Sequence, residues 1–241
     1  MNHDKQHGFT LIELMLAMTF IAVLLVAIAM TTIQISNIYN KGITLKEVNQ
    51  AGRVVSDELQ RSIASSEPFD VTPSVDDSPA TATSRYIVRD GGGRLCLGNY
   101  SYVWNYGKAI VGGAGAPAIF NTYSDATPAR FAKITDPSGS LCNQPITNNV
   151  GSRASATEML SSGDRDLVIH AFTISRTSVE ANTSQAIYAI SMLVGTNDRS
   201  QLTANDASCK PPSEGVGDET YCSVNQFDII ARAGNRSGGG Q

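Results

Sequence analysis

One acidic side chain, Glu13, stands at the front of a long apolar segment, where a carboxylate is costly. The 20 residues that follow it, 14–33, carry no charge, and the next charged residue is Lys41. A charged side chain in a membrane helix costs about 3 kcal/mol even on permissive scales, so such residues usually serve a function. Glu13 is therefore the first candidate functional residue.

The cysteines form a second group of side chains that could do chemistry, and they are Cys96, Cys142, Cys209 and Cys222. None belongs to a CxxC pair, and no histidine lies at metal-ligand spacing, so two disulfides are expected beyond a membrane segment. Three connectivities are possible. We favour Cys209–Cys222 with Cys96–Cys142, because the first pair closes a short loop worth about 3 kcal/mol in the chain-entropy model. Four buried free thiols are the alternative.

No other combination of side chains in the sequence indicates catalysis, since GxSxG, HExxH and paired-carboxylate motifs are absent. The glycine-rich stretch at 111–117 lacks the Lys-Ser/Thr of a phosphate loop. His170 alternates with Val168 and Phe172, which predicts a hydrogen-bonded core histidine and not a general base. The acids considered as calcium ligands are Asp164 with Asp166, and Asn197 and Asp198 with Asp206. They lack EF-hand spacing, so we predict solvated turn residues, no metal site, no cofactor and no enzyme.

The element that positions Glu13 is predicted to be a helix that can span a bilayer. A secretory signal peptide would need a basic leader, a shorter apolar core and a cleavage site after that core. The leader holds a single lysine, and residues 31–36 offer no convincing cleavage site. A plain signal anchor would explain the hydrophobicity but not Glu13.

Helical periodicity continues beyond the membrane segment. The apolar residues that share one face are Ile38, Leu45, Val48, Val55, Leu59 and Ile63. The polar residues assigned to the opposite face are Asn40, Glu47, Arg53, Asp57, Glu58 and Arg61. This pattern predicts one helix over residues 9–65, about 85 Å long at 1.5 Å per residue. Gly42 and Gly52 are either points where this helix can bend or simply tolerated glycines.

The residues GFTLIE at 8–13, followed by LMLA at 14–17, resemble the amino terminus of type IV prepilins and type II secretion pseudopilins. The resemblance implies that a membrane peptidase cuts between Gly8 and Phe9 and then N-methylates Phe9. It also implies that Glu13 pairs with the charged amino terminus of a neighbouring subunit, since opposite charges attract strongly at low dielectric. Some tip pseudopilins lack this acid, so its presence indicates a subunit beneath or beside others.

The same resemblance implies the partners and the location of the chain. Its partners would be other pilin or minor pilin subunits, the prepilin peptidase and methyltransferase, an inner-membrane assembly platform, and membrane lipid before assembly. The protein would cross the inner membrane once and then enter an extracellular pilus, with its head outside the cytoplasm. The predicted segments are the leader 1–8, the assembly helix 9–38, its amphipathic continuation 39–65, the head 66–233 and a flexible tail 234–241.

The head shows strand patterns, which predict an α+β fold with an antiparallel sheet laid on the second half of the helix. The predicted strands are 85–89 and 94–97 as a hairpin around 90–93, then 100–106, 166–175, 185–195 and 223–233, with 178–184 joining two antiparallel neighbours. The aromatic residues that alternate along the third strand are Tyr100, Tyr102, Trp104 and Tyr106. A half-buried strand face is favoured over a stacking surface for sugars or nucleic acid.

The net charge of −4 arises entirely after residue 65, so the head has no bulk attraction for nucleic acid. The leading hypothesis is a structural subunit, a minor pilin most like the W/J type, that helps to initiate or cap a type IV pilus. The alternatives are a pseudopilin of a type II secretion system, a competence pilus subunit for DNA uptake, and a pilus-tip adhesin. An enzyme anchored by the helix has the least support.

Overall fold

The computed structural model describes residues 9–72, 85–111, 118–120, 128–139, 141, 156–160, 165–180, 185–211 and 220–234. Within these ranges the chain forms, in order, α1 Leu11–Ala64, β1 Tyr86–Arg89, β2 Gly92–Leu97, β3 Tyr100–Asn105, α2 Gly107–Ile110, β4 Phe131–Thr135, β5 Ala156–Glu158, β6 Leu167–Glu180, β7 Gln185–Thr196 and β8 Val224–Ala233. The predicted α+β arrangement of a long apolar helix packed with antiparallel sheets is confirmed.

Several predicted features lie outside the described residues. They are the leader with Gly8, the stretch 73–84 of the linker after the helix, the glycine-rich stretch 112–117, the cysteine at 142, the aspartate at 164 and the tail 235–241.

The long helix α1 has two halves with different surroundings. Its 54 residues extend about 81 Å at 1.5 Å per residue. Every residue from 9 to 39 is exposed, whereas Val48, Val55 and Leu59 are completely buried against the head. The predicted apolar stripe is wrong at its start, because Ile38 is 72% exposed and Leu45 is 37% exposed. Helical periodicity identifies a face, but the head buries the apolar residues of that face only from Val48 onward.

The polar face assigned from the sequence is also wrong for two residues. Glu47 accepts a hydrogen bond from the backbone N–H of Arg165 at 3.2 Å, and Glu58 contacts Lys133 at 2.6 Å. Both carboxylates therefore lie on a flank of α1 that contacts the head. The head therefore contacts the helix beyond its apolar stripe, through Arg165 and Lys133.

The described part of the head forms two sheets, whereas the sequence pattern predicted one. The first is an antiparallel meander in the order β1-β2-β3-β4-β5, and the second is β6-β7-β8. An isolated parallel bridge between Tyr106 and Ile169 joins them. The predicted antiparallel pairing of β6 with β7 is confirmed, although β6 continues to Glu180. The strands β4 and β5 and the short helix α2 carry no sequence pattern that predicted them.

The turn of the first hairpin is two residues shorter than predicted. Gly92 and Gly93 belong to β2, so the turn is formed by Asp90 and Gly91. A Cβ atom at residue 93 would lie 2.3 Å from Cζ2 of Trp104, and one at residue 92 would lie 2.0 Å from the Trp104 carbonyl oxygen. These glycines are thus required by the close approach of β3 and not by the turn.

The core lies where both sheets meet α1. Tyr102 and Trp104 are completely buried, and the Trp104 ring centroid is 4.4 Å from that of Phe172 on the second sheet. Tyr102 and Trp104 are therefore core residues and do not form a stacking surface, while Tyr100 is only partly buried. The strand is not half-buried as predicted, because both of its faces are covered. The residues of β7 predicted to share one face, Tyr188, Ile190, Met192 and Val194, are all buried.

Strand β8 forms one edge of the second sheet, and α1 runs along it. Asn225 donates to Asn49 at 2.9 Å near one end, and Gln60 donates to the carbonyl oxygen of Ile230 at 3.2 Å near the other. Covering an edge strand with a helix prevents it from pairing with another chain.

Candidate processing and assembly site

The amino-terminal end of α1 is closed by a pair of reciprocal hydrogen bonds. Thr10 is the N-cap, and its side chain accepts from the backbone N–H of Glu13 at 3.3 Å. In return the Glu13 carboxylate accepts from the backbone N–H of Thr10 and from its hydroxyl, both at 3.0 Å. This capping box satisfies two helix-end donors and gives the carboxylate two partners inside its own chain. The Thr-x-x-Glu spacing at 10–13 is a signal in the sequence that could have found it.

The residues around Glu13 have no cover from the head. Phe9 is 88% exposed, and the side chains of Leu11, Ile12 and Leu14 are 77%, 72% and 57% exposed. The helix is long and apolar enough to cross a membrane, and none of its most apolar window is buried inside the protein. The site therefore consists of a capped helix end, an acid and an apolar surface that the rest of the described chain does not cover.

Comparison with protein-family models matches residues 3–32 to the prokaryotic N-terminal methylation motif. The chain carries the amino-terminal signal of type IV pilins and pseudopilins. No curated protein and no solved structure matches it. The pilin-type motif implies processing by a prepilin peptidase and assembly with other pilin subunits. The matched stretch includes Gly8, Phe9 and Glu13, whose individual roles stay predictions.

A second polar cluster fixes the pilin-like helix to the head. The carboxylate of Glu58 accepts hydrogen bonds from Lys133 at 2.6 Å, from the hydroxyl of Tyr102 at 2.9 Å and from Ser62 at 3.1 Å. The ammonium group of Lys133 also lies 3.9 Å from the ring centroid of Tyr100. Partial burial acts to raise the pKa of Glu58, but the hydrogen bonds from Lys133 and Tyr102 and the lysine's charge outweigh it and hold that pKa below its ordinary value.

This cluster has no signature in the sequence, because Lys133 and Glu58 are 75 positions apart. Only the fold brings β3 and β4 against the flank of α1 that carries Glu58. The cluster holds the head on the helix, since each of its polar side chains is hydrogen-bonded to another.

The disulfide predictions have different outcomes. Cys209 and Cys222 form a disulfide across 13 positions of sequence, as predicted. Cys96 is also disulfide-bonded, while its predicted partner Cys142 lies outside the described residues. The pairing of Cys96 with Cys142 therefore stays a prediction.

The single histidine of the head behaves as the sequence pattern indicated. The Nε2 atom of His170 lies 3.1 Å from the carbonyl oxygen of Thr196, so this nitrogen carries the proton and donates it. Burial lowers the pKa of His170, and the hydrogen bond to Thr196 opposes that shift. His170 is thus a hydrogen-bonded side chain close to the bridge that joins the two sheets.

The acids considered as calcium ligands have other partners. Asp166 is paired with Arg130 at 2.5 Å, and Asp206 lies 3.7 Å from Arg199. Asp198 accepts from the backbone and hydroxyl of Ser200 in a turn. Among the described residues there is no group of three or more His, Cys, Asp or Glu side chains that could hold a metal ion.

Proposed function

We propose that this pilin-like chain is a minor pilin, a structural subunit that helps to initiate or cap a type IV pilus. The observation that carries the proposal is the exposure of the whole helix surface over residues 9–39, most of which lies within the pilin-type motif matched at residues 3–32. An apolar helix without intramolecular cover is stable only in lipid or among other helices. Membrane lipid supplies the first environment, and a fibre of packed helices supplies the second.

Processing would create the charge that assembly needs. Cleavage between Gly8 and Phe9 converts a neutral peptide nitrogen into an amine, which remains cationic after methylation. The new terminus of one subunit then pairs with Glu13 of a neighbour, and the pair sets the axial register of the helices. The inner-membrane assembly platform would receive the subunit at this step, and no nucleic acid is needed.

The capping box explains how Glu13 is tolerated before assembly. An unpaired carboxylate in an apolar environment is strongly penalised, but two hydrogen bonds from Thr10 reduce that penalty. Assembly then adds a cationic partner to an acid that is already oriented. The head, held by Glu58 and Lys133, would be displayed outside the cell, and its long late strands fit a W/J-type subunit.

The processing step is tested by a Gly8→Val variant produced in a cell with a complete pilus machinery. The precursor should remain uncut in the membrane, as seen by mass and by its failure to enter sheared fibres. Gly42→Ala, a glycine change outside the motif, is the matched control and should be processed normally. Normal cleavage of the Gly8 variant would remove the peptidase assignment.

The pairing step is tested by Glu13→Val. The variant should be processed and inserted at wild-type levels, but its recovery in sheared pili should fall by about tenfold, the effect of losing roughly 1.4 kcal/mol. Met15→Leu, an apolar exchange on the same exposed segment, should leave recovery unchanged. Wild-type recovery of Glu13→Val would count against the pairing role, and recovery of the native chain with secretion components instead of pili would reassign it as a pseudopilin.

A further inference from the structure

The helix leaves the head at residues 40–47, and a short segment of chain crosses it there. We call this segment, residues 220–222, the strap. Thr44 is completely buried beneath it, and it is the first fully buried residue of α1. The Thr44 hydroxyl lies 3.0 Å from the carbonyl oxygen of Asn40 and 3.3 Å from that of Thr220. The buried hydroxyl thus links the helix to the strap.

Further contacts extend the strap around the same helical turn. The side-chain amide of Asn40 lies 3.5 Å from the hydroxyl of Tyr221, and the guanidinium of Arg165 lies 4.6 Å from the Tyr221 ring centroid. The backbone N–H of Arg165 donates to the carboxylate of Glu47 at 3.2 Å. A chain of contacts therefore runs from Asn40 through Tyr221 and Arg165 to Glu47.

The strap is itself anchored by the disulfide. Cys222 is bonded to Cys209, which forms an isolated bridge with the buried Leu202. The neighbouring Lys210 donates from its backbone to Gln201 at 2.7 Å and from its side chain to Ser200 at 2.9 Å. The strap is therefore held by a covalent bond to the turns at residues 200–210, and not only by its contacts with α1.

The helical turn that the strap contacts contains a residue of low helix propensity, Gly42. A Cβ atom at Gly42 would meet nothing within 4 Å, so no close approach requires a glycine there. Glycine in a helix interior costs about 1 kcal/mol relative to alanine. Residues 9–39 of the helix are exposed, whereas the part that follows Thr44 is held by the core. Local opening is favoured at such a boundary.

We propose that the strap is a clamp that keeps α1 continuous through Gly42 and so couples the membrane half of the helix to the head. When the clamp is absent, the helix opens over residues 40–47 while the core remains folded, and the head pivots on the membrane half. This inference does not depend on the proposed function, because it concerns the coupling of two parts of one chain.

The test is hydrogen exchange, followed by mass spectrometry, on the full chain in detergent micelles. In the C209S/C222S double variant, amides of residues 40–47 should exchange at least about tenfold faster, while those of residues 52–64 keep their protection. Adding Gly42→Ala to the double variant should slow that exchange several-fold. Unchanged exchange at 40–47, or equal acceleration at 40–47 and 52–64, would overturn the clamp.

A single variant with the disulfide intact covers the case in which the double variant does not fold. Tyr221→Leu removes the contacts with Asn40 and Arg165, and it should accelerate exchange at residues 40–47 without affecting β7. A Tyr221→Phe variant keeps the ring over which Arg165 lies and should show a smaller acceleration. Equal exchange in Tyr221→Leu and the wild type would contradict the proposal.

Discussion

The ring of Phe227 on β8 lies directly against Gly52 of the long helix. A Cβ atom at residue 52 would lie 2.2 Å from Cζ of Phe227, far inside contact distance. Helix and edge strand approach this closely because residue 52 has no side chain. The close approach of Phe227 therefore requires a glycine at residue 52. No contact requires one at residue 42, since a Cβ atom there would meet nothing within 4 Å.

Exchanging each glycine for alanine should change the stability of the protein in opposite directions. Gly52→Ala should lower the free energy of unfolding by about 1–3 kcal/mol, because the Phe227 ring must leave its packed position. Gly42→Ala should raise it by up to about 1 kcal/mol through helix propensity alone. Urea unfolding of the full chain in detergent, followed by circular dichroism, measures both.

A second-site change sharpens this test. Phe227→Leu should reduce the cost of Gly52→Ala, because a smaller side chain leaves room for the new methyl group. If the two changes simply add, Gly52 is not required by Phe227, and the glycine serves another purpose.

Acid should weaken the attachment of the head to the helix through Glu58. Its pKa is depressed in the folded protein, so its stabilisation is complete above the ordinary glutamate pKa of about 4.3. That stabilisation is lost as the pH falls through the depressed value. We expect Glu58→Gln to cost about 1–2 kcal/mol near pH 7 and almost nothing once the pH is well below the folded pKa. Unfolding curves at the two pH values measure this, and a cost that does not change with pH would refute the ion pair.

The side chain of the fully buried Asn105 forms hydrogen bonds with the backbone of residues 119–120 and 129. Its amide donates to the carbonyl oxygens of Phe120 and Ala129, both at 2.7 Å, and its oxygen accepts from the backbone of Ile119 at 2.7 Å. Asn105→Leu would remove the partner of the Ala129 carbonyl oxygen and of the backbone N–H groups of Ile119 and Phe120, at about 1–3 kcal/mol for each buried group, whereas the Phe120 carbonyl oxygen keeps its bond from the Ala129 N–H at 2.9 Å. We expect a loss of about 4 kcal/mol in unfolding free energy, whereas Gln50→Ala on the exposed helix face should be neutral or slightly stabilising. Urea unfolding of both variants measures the difference, and equal stability would contradict the anchoring role of Asn105.

The remaining disulfide can be identified chemically. Non-reducing peptide mapping by mass spectrometry should recover a peptide containing Cys96 joined to one containing Cys142, together with the Cys209–Cys222 loop. A peptide that joins Cys96 to any other residue, or a free thiol at Cys142, would contradict the predicted pairing.

Elements with a repeating pattern could be predicted from the sequence. Val48, Val55 and Leu59 recur at helical spacing, and Tyr102 and Trp104 alternate as strand residues do, so the period assigns each set to one face, and the structure buries these residues. The Thr10–Glu13 capping box can also be predicted from the sequence, because its two residues lie three positions apart.

Contacts between distant segments could not be predicted in this way. The partners of Glu58 and Glu47 are set by the arrival of β4 and of the residues before β6 on one flank of the helix. Gly93 looks like a turn residue in the sequence, because its actual neighbour, Trp104, is brought close only by strand pairing. The short strand β5 lacks any pattern and is held by Glu158, whose carboxylate accepts from the backbone of Phe131 at 2.8 Å.

The mass of the mature amino-terminal peptide shows most directly whether this chain is processed as a pilin. The protein should be purified from membranes or fibres of cells that produce it with a prepilin peptidase, and its amino-terminal peptide sequenced by mass spectrometry. We expect a chain that begins at Phe9 and carries one added methyl group on that nitrogen, with the apolar segment retained. A chain that begins at Met1, or one cut after the apolar segment, would contradict it.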